Sequence, residues 1–395
     1  MARVTTIYPE GYRFSVFLDP LSLINFDIAT LSDRTSTSFT LDAHNNGYVL
    51  TVQGSGLRYG SDGLPTQGII TEIHGIQGGT PTYDVVDIQL DVATLIAWFA
   101  ADRSGPHPLF NGNDTVIGGS GNDTFFGNRG HDVVMGGANA DNIVGGPGND
   151  HVYGQSPNGG PDGDDTLSGD EGNDYIQGNA GNDRLSGGDG SDRIYGGAGN
   201  DYIFGDGTNA PPGRPGNDTI NGNLGNDTIR SGEGNDFVRG GQGNDRLEGD
   251  EGNDVLMGDK GDDVLIGGAG FDIMTGGEGN DIFSFDLFPN QFLATTGPDA
   301  YRTDIVTDFS HEEDLFDLVK PSHIYTGQAS DAQDALAVAR DLVSDHPFER
   351  SVAAITVGND VYMFATSGNN TPSIDIAVLL LNFDATKITI SDFAY

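Results

Sequence analysis

Aspartate recurs through the middle of the chain with a fixed stride. It stands at Asp114, Asp123, Asp132, Asp141 and Asp150, then at Asp165, Asp174, Asp183, Asp192 and Asp201, and then at Asp218, Asp227, Asp236, Asp245, Asp254, Asp263, Asp272 and Asp281. Each step is nine residues, except those from Asp150 to Asp165 (15) and from Asp201 to Asp218 (17). Carboxylates set at regular intervals among glycines, whose carbonyls are open to approach, form a set of hard oxygen donors. A divalent cation such as Ca²⁺, which takes six to eight oxygens, is the ion such a set suits.

The elements that must hold these carboxylates follow from the unit around each one. It reads Gly-Gly-x-Gly-x-Asp-x-U-x with U apolar, as in Gly240-Gly-Gln-Gly-Asn-Asp245-Arg-Leu-Glu248. Self-similarity at a short fixed period is the signature of a stacked repeat architecture. Glycine at the first, second and fourth positions lets the chain take positive φ and turn tightly. The last three residues form a short strand, and its eighth-position side chain (Val116, Phe125, Val134, Ile143, onward to Phe283) falls on one face by the period-two rule. Two units make one coil, so residues 18 apart stack. Asp227, Asp245, Asp263 and Asp281 then line one edge, and Asp236, Asp254 and Asp272 the other. The two longer steps insert Gly- and Pro-rich loops near Ser156–Pro161 and Asn209–Pro215 and return the chain to frame. Two units depart from the pattern: Asn139-Ala140 replaces Gly-x in one turn, and Ser231 replaces a first glycine.

This arrangement predicts several calcium ions between stacked turns, no more than about 16 for the 18 units, bringing roughly +32 of charge. Those ions set against a formal net charge of −41. One apolar side chain per nonapeptide is a thin core for so glycine-rich a chain, so calcium is expected to be obligatory for folding. Other readings of the motif fail. A Gly-x-Gly-x-x-Gly dinucleotide loop needs a helix after it, collagen needs a period of three, and Asp162-Gly-Asp-Asp has Asn173 where an EF-hand needs its twelfth-position Glu.

The excess of Asp and Glu (59) over Lys and Arg (18) disfavours nucleic acid and anionic membrane surfaces as partners. Absence of cysteine excludes disulfides, thiolate zinc sites and a cysteine nucleophile. No stretch approaches 18 apolar residues, so no membrane-spanning helix is expected. Residues 1–10 do not read as a cleavable export signal.

On these units the sequence closely resembles the repeats-in-toxin (RTX) family of hemolysin-type calcium-binding repeat proteins. The resemblance covers about 175 residues, roughly Phe110 to Ser284. It implies an all-β, right-handed parallel β-roll that binds Ca²⁺ through the eighteen sixth-position aspartates and turn carbonyls. It also implies a secreted, extracellular protein exported by a type I secretion apparatus that reads an uncleaved C-terminal signal.

The division expected is an N-terminal β-rich domain (1–104), the roll (105–285) and a C-terminal α+β cap carrying the secretion signal (286–395). In the first segment, Tyr48–Val52, Ile69–Ile73 and Val85–Leu90 alternate as strands, Gly54, Gly56, Gly60 and Gly63 mark turns, and Ala93–Ala101 suggests a short helix. No chemistry is assigned there. In the last segment, Asp304–Phe309 and Asp314–Asp317 resemble the cap that follows many RTX rolls. Ser330 with Gln333 reads as a capping box for a helix through about Val343, and Gly358-Asn-Asp360 as a hairpin turn. The tail Ile388–Tyr395 resembles the acidic-then-hydrophobic end of type I signals. For catalysis, His311-Glu-Glu-Asp-Leu lacks the second His of a zinc-protease motif, and no Gly-x-Ser-x-Gly elbow occurs. The expectation is a non-catalytic calcium-binding protein for surface, matrix or host interaction. The alternative is an enzyme whose active site lies in residues 1–104 or on the inserted loops.

Overall fold

The structure is a computed structural model. It describes the backbone of eight short strands within residues 3–91, and residues 113, 115–117, 122–155, 162–207, 216–285, 304–311, 313–318, 321–344, 351–366 and 376–394. Side chains are described at 113 and from 122 onward, apart from 123, 343, 344 and 376. The chain divides into two compact units, Met1–Arg193 and Ile194–Tyr395.

In the first unit, Ser38–Ala43, Tyr48–Tyr59, Pro65–Gln77 and Thr80–Val86 form an antiparallel meander. The strands expected at Tyr48–Val52 and Ile69–Ile73 are therefore present and longer than the alternation suggested, whereas of Val85–Leu90 only Val85 and Val86 end the strand Thr80–Val86, Leu90 begins another, and 87–89 lie outside the described residues. Gly54 and Gly56 do not mark turns. They lie inside the strand Tyr48–Tyr59 where its register with Pro65–Gln77 shifts, because a glycine within a strand accommodates a bulge as readily as a bend. Gly60, Gly63 and the helix expected over Ala93–Ala101 lie outside the described residues.

The repeats then build parallel ladders. Consecutive strands alternate between two sheets, so each strand pairs with the one a full coil later. Val133–Gly137 pairs with His151–Gln155 with Val134 opposite Val152, and Asn142–Val144 pairs with Thr166–Glu171 with Ile143 opposite Leu167. The offset is 18 residues in the regular coils and 24 where the first insertion intervenes. The N-terminal segment joins both ladders: Arg3–Thr6 runs parallel to Thr115–Ile117, and Phe14–Ser15 parallel to Asp123–Phe126. Period-two analysis gave no sign of this pairing.

In the second unit one ladder runs Thr219–Leu224, Phe237–Gln242, Val255–Lys260 and Ile273–Glu278. The other runs Tyr202–Phe204, Thr228–Glu233, Arg246–Glu251, Val264–Ile266 and Ile282–Ser284. The first ladder continues into Asp304–Val306 and the second into Leu315–Asp317. Asp304–Val306 also pairs with Ile376–Leu380, which opens a mixed sheet with Asp360–Ala365, Ser351–Val357 and His323–Gln328. The hairpin at Gly358 is present, with Gly358 at φ 66°. The helix Ala332–Ser344 lays Ala335, Leu336 and Ala339 against Ala353, Ile355 and Phe364. Its cap is one residue later than expected: the Asp331 carboxylate accepts the Asp334 N–H at 2.9 Å, and Asp334 accepts the Ser330 N–H at 3.0 Å. Two aspartates thus replace the Ser330–Gln333 pair, the shorter carboxylate being a strong acceptor for first-turn N–H groups.

The core of the repeats is one side chain per unit. Ile220, Val238, Leu256 and Met274 make one column, and Ile229, Leu247, Leu265 and Phe283 the other, all fully buried. In Val255–Lys260 the inward positions are Leu256 and Gly258, and the neighbours face outward. In calcium-containing buffer Leu256→Ala should therefore cost about 2–5 kcal/mol of stability. Ile273→Ala, on the outward face of the same sheet and 39% exposed, should cost less than about 1 kcal/mol. Denaturant melts compare the two, and equal losses would show that the interior column does not carry the fold.

Candidate metal centre

Three backbone devices place the carboxylates. The second residue of each described turn takes positive φ, whether it is glycine, as at Gly241 (119°), or a short polar residue, as at Asp250 (67°) and Asp259 (76°). Asn and Asp are the side chains that best tolerate this region. In turns of the regular nine-residue units the fourth residue also takes positive φ, as at Gly252 (153°), where a Cβ would run into the Gly234 carbonyl of the preceding coil. The Asn139 departure fits the same rule, because it occupies a fourth position at φ 68°. The first glycine differs from the expectation. It does not take positive φ, and its role is to make room: a Cβ at Gly258 would strike both the Asp263 Oδ2 and the Gly276 carbonyl oxygen, the latter at 2.5 Å.

The sixth-position aspartates form columns, as the 18-residue stacking requires. Asp227, Asp245 and Asp263 each donate their backbone N–H to the Oδ1 of the next aspartate in line, Asp245, Asp263 and Asp281, at 2.8–2.9 Å. Asp218, Asp236 and Asp254 do the same to Asp236, Asp254 and Asp272. In the first unit Asp132 donates to Asp150, and Asp150 in turn to Asp174. All sixteen aspartates from Asp132 to Asp281 are at most 3% exposed. Asp114 lies outside the described residues. Asp123 begins a strand, but its side chain is not among those described.

One oxygen of each carboxylate is thus used to hold the coil, and the other faces the first glycine of its own turn. The Oδ2 atoms of Asp150, Asp165, Asp174, Asp245, Asp254 and Asp263 are buried with no hydrogen-bond partner. Burial pushes these carboxyls up, against the pull of the backbone N–H each accepts. Asp150 and Asp245 rise to about 6, Asp174 and Asp263 to about 7, and Asp165 and Asp254 to about 8. Neighbouring aspartates in the column add repulsion, as Asp272 and Asp236 do on Asp254. Buried anionic oxygens without partners are costly, and an oxygen-seeking cation relieves that cost. The residues present therefore fit calcium. Among the described residues no three acidic or imidazole side chains converge on one point. The carboxylates arrive one per turn, and the remaining oxygens have to come from backbone carbonyls such as that of Gly276 beside Asp263.

Two features escaped the sequence reading. The fifth position forms a second, exposed ladder of opposite sense: Asn244 N–H donates to the Asn226 Oδ1 at 2.8 Å, Asn253 to Asn235 at 2.9 Å, and Asn280 to Asp262 at 2.9 Å. The Asn that precedes most of the sixth-position aspartates was its signal. The aspartate columns also run past the last glycine-rich unit. Asp272 donates to Asp304 at 3.1 Å and Asp281 to Asp314 at 2.9 Å, and Val306 and Phe316, two residues after each, are fully buried. The one sequence signal there was the Asp-x-U triplet, which without its glycines and after steps of 32 and 33 residues does not specify the pairing. The Asp314 Oδ2 accepts the Ser310 N–H, and Asp308 accepts from Gly276 and Gly277, so the cap closes the stack with hydrogen bonds. His311 is bonded through Nδ1 to Asp392 at 3.0 Å, a contact that ties the tail to the cap.

Parallel ladders two strands to a coil, an apolar column inside and carboxylates along the edges define a β-roll repeat protein built to take cations. The family comparison makes the class specific. The RTX calcium-binding nonapeptide repeat matches residues 110–143, 135–156, 160–193, 177–209, 212–247 and 248–283, and this segment is a run of RTX calcium-binding repeats. Among solved structures, the chain resembles the AlgE6R3 subunit from the Azotobacter vinelandii mannuronan C5-epimerase, at 22% identity and a TM-score of 0.24, covering 44% of this chain and 80% of that one. No curated protein matches the chain.

The carboxyl shifts give a pH dependence of known sign. Folded-state carboxyls raised from 3.8 to about 6–8 bind protons more tightly than the unfolded chain does. Without metal, the fold is then most stable below the ordinary carboxyl value and loses stability as pH rises through about 8. Protons and calcium compete for the same oxygens. A proton on those buried oxygens favours the fold as a cation does, so the calcium concentration at half-folding should be lower at pH 5.5 than at pH 8, as read by far-UV circular dichroism; a midpoint independent of pH would show that these carboxyls are not buried by folding.

Proposed function

We propose that the chain is a secreted, extracellular protein whose repeats fold on binding several calcium ions, and that it works by presenting a folded surface rather than by catalysis. The ligands in this reading are the aspartates from Asp114 to Asp281 at the sixth positions, with turn carbonyls completing each shell. The observation that carries it is the set of buried Oδ2 atoms, typified by Asp254 and Asp263, that have no partner among the described residues. Calcium bound there supplies charge neutralisation and a bridge between coils. The protein's own part is to hold one carboxylate oxygen on a backbone N–H so that the other is aimed.

Extracellular calcium-binding modules work at about 10⁻⁴–10⁻³ M, so the same chain stays unfolded where calcium is scarce and folds where it is plentiful. Type I secretion fits this division. Export through a narrow apparatus requires an unfolded chain, and in the folded cap the proposed signal is packed away: Phe393 is 2% exposed against Phe316, and the Ala394 N–H donates to the Phe316 carbonyl at 3.0 Å. Recognition of the tail then precedes folding. The segments proposed are an N-terminal β-rich part (1–104), the roll (105–285) and a cap with the export signal (286–395).

A calcium titration of the calcium-depleted chain tests the central claim. Far-UV circular dichroism should show β structure appearing between micromolar and millimolar calcium, with Asp263→Asn shifting the midpoint upward several-fold. A β signal already complete in excess chelator at neutral pH would overturn it.

A further inference from the structure

Ser231 is the exception among the first positions of the described units, all the others of which carry glycine. The glycine rule is steric. At Gly222 an added Cβ would strike the Asp227 Oδ2 and sit 2.7 Å from the Gly240 carbonyl oxygen; at Gly249 it would sit 2.5 Å from the Asp254 Oδ2 and strike the Gly267 carbonyl. The α-carbon of each first glycine therefore borders a gap between the carboxylate of its own turn and a carbonyl of the next coil. At the Gly222 and Gly249 rungs that gap is bordered by the unpartnered Oδ2 atoms of Asp227 and Asp254.

At position 231 the gap is filled. Ser231 is fully buried, and its hydroxyl donates to the Gly249 carbonyl at 2.9 Å, with a longer approach to the Glu248 carbonyl at 3.4 Å. Gly249 is the residue that corresponds to Gly240 at the Gly222 rung. The hydroxyl also lies beside Asp236, where it and the Asp218 N–H offset part of the rise that burial imposes, while the hydrogen bond it donates goes to the Gly249 carbonyl and the Asp236 Oδ2 accepts none. The carboxylate and the carbonyl that face an open gap in other turns here face a neutral hydrogen-bonding oxygen.

We propose that the Ser231 rung is bridged by this hydroxyl instead of by a calcium ion, so that the column Asp218–Asp236–Asp254 is interrupted at one site. The proposal rests on the calcium reading above. A carbonyl that already accepts an O–H is a poorer ligand, and the hydroxyl occupies the space the ion needs. The rung then holds its two coils together without metal, while its neighbours depend on it. The chain binds fewer calcium ions than its repeat count suggests, and the missing one is assigned to a named turn.

Native mass spectrometry of the full chain at saturating calcium counts bound ions directly. Ser231→Gly should bind one more ion than the parent chain, and the reciprocal Gly240→Ser one fewer. Ser231→Gly decides by itself should Gly240→Ser fail to fold, and an equal or lower count in Ser231→Gly overturns the proposal. If neither the parent nor the variant binds calcium, the reading of the roll itself fails, an outcome distinct from equal stoichiometry.

Discussion

Burial of stacked carboxylates away from water governs this molecule, and repulsion between neighbours in the column adds to it. Coil after coil brings an aspartate to the same place and strips it of water, and at Asp150, Asp165, Asp174, Asp245, Asp254 and Asp263 only one carboxylate oxygen is satisfied. In a low-dielectric setting such a column is untenable for the charged form, and the raised carboxyls, up to about 8 at Asp165 and Asp254, express that tension. Every other feature of the roll either creates the column or makes it tolerable.

The glycines create it. First-position glycines clear the space in front of the carboxylate, while second and fourth residues turn the backbone in the left-handed region. Substitution follows from those roles. Asp and Asn replace glycine at the second position because only the backbone angle matters there, and Asp250 and Asp259 then serve outside the roll as partners of Arg230 and Arg239. At the first position a side chain fills the gap, and the one that does so, Ser231, brings a hydroxyl that donates to the Gly249 carbonyl.

The backbone ladders make the column tolerable only in part. The inward-facing apolar side chain of each nonapeptide is fully buried from Ile220 through Met274, but it is a single residue against nine to be ordered. Ladders of Asp at the sixth position and Asn at the fifth, running in opposite senses, add hydrogen bonds between coils. At the C-terminal end the problem is solved differently. Asp314 has both oxygens on backbone N–H groups, and Phe309, Phe316 and Phe393 supply a larger apolar seal.

Much of this was legible in the order of residues. A period of nine with Asp and an apolar residue two places apart determines the alternation of strands, the 18-residue stacking and the identity of the column members, because strand geometry leaves no other face for them. The roles of individual atoms were not legible. Which carboxylate oxygen is spent on the backbone, why the first glycine is needed, the continuation through Asp304 and Asp314 after steps of 32 and 33 residues, and the shift of the helix cap to Asp331 all depend on which groups the folded chain brings within hydrogen-bonding distance. Periodicity reports direction from the backbone; only the packed coils decide what each side chain meets there.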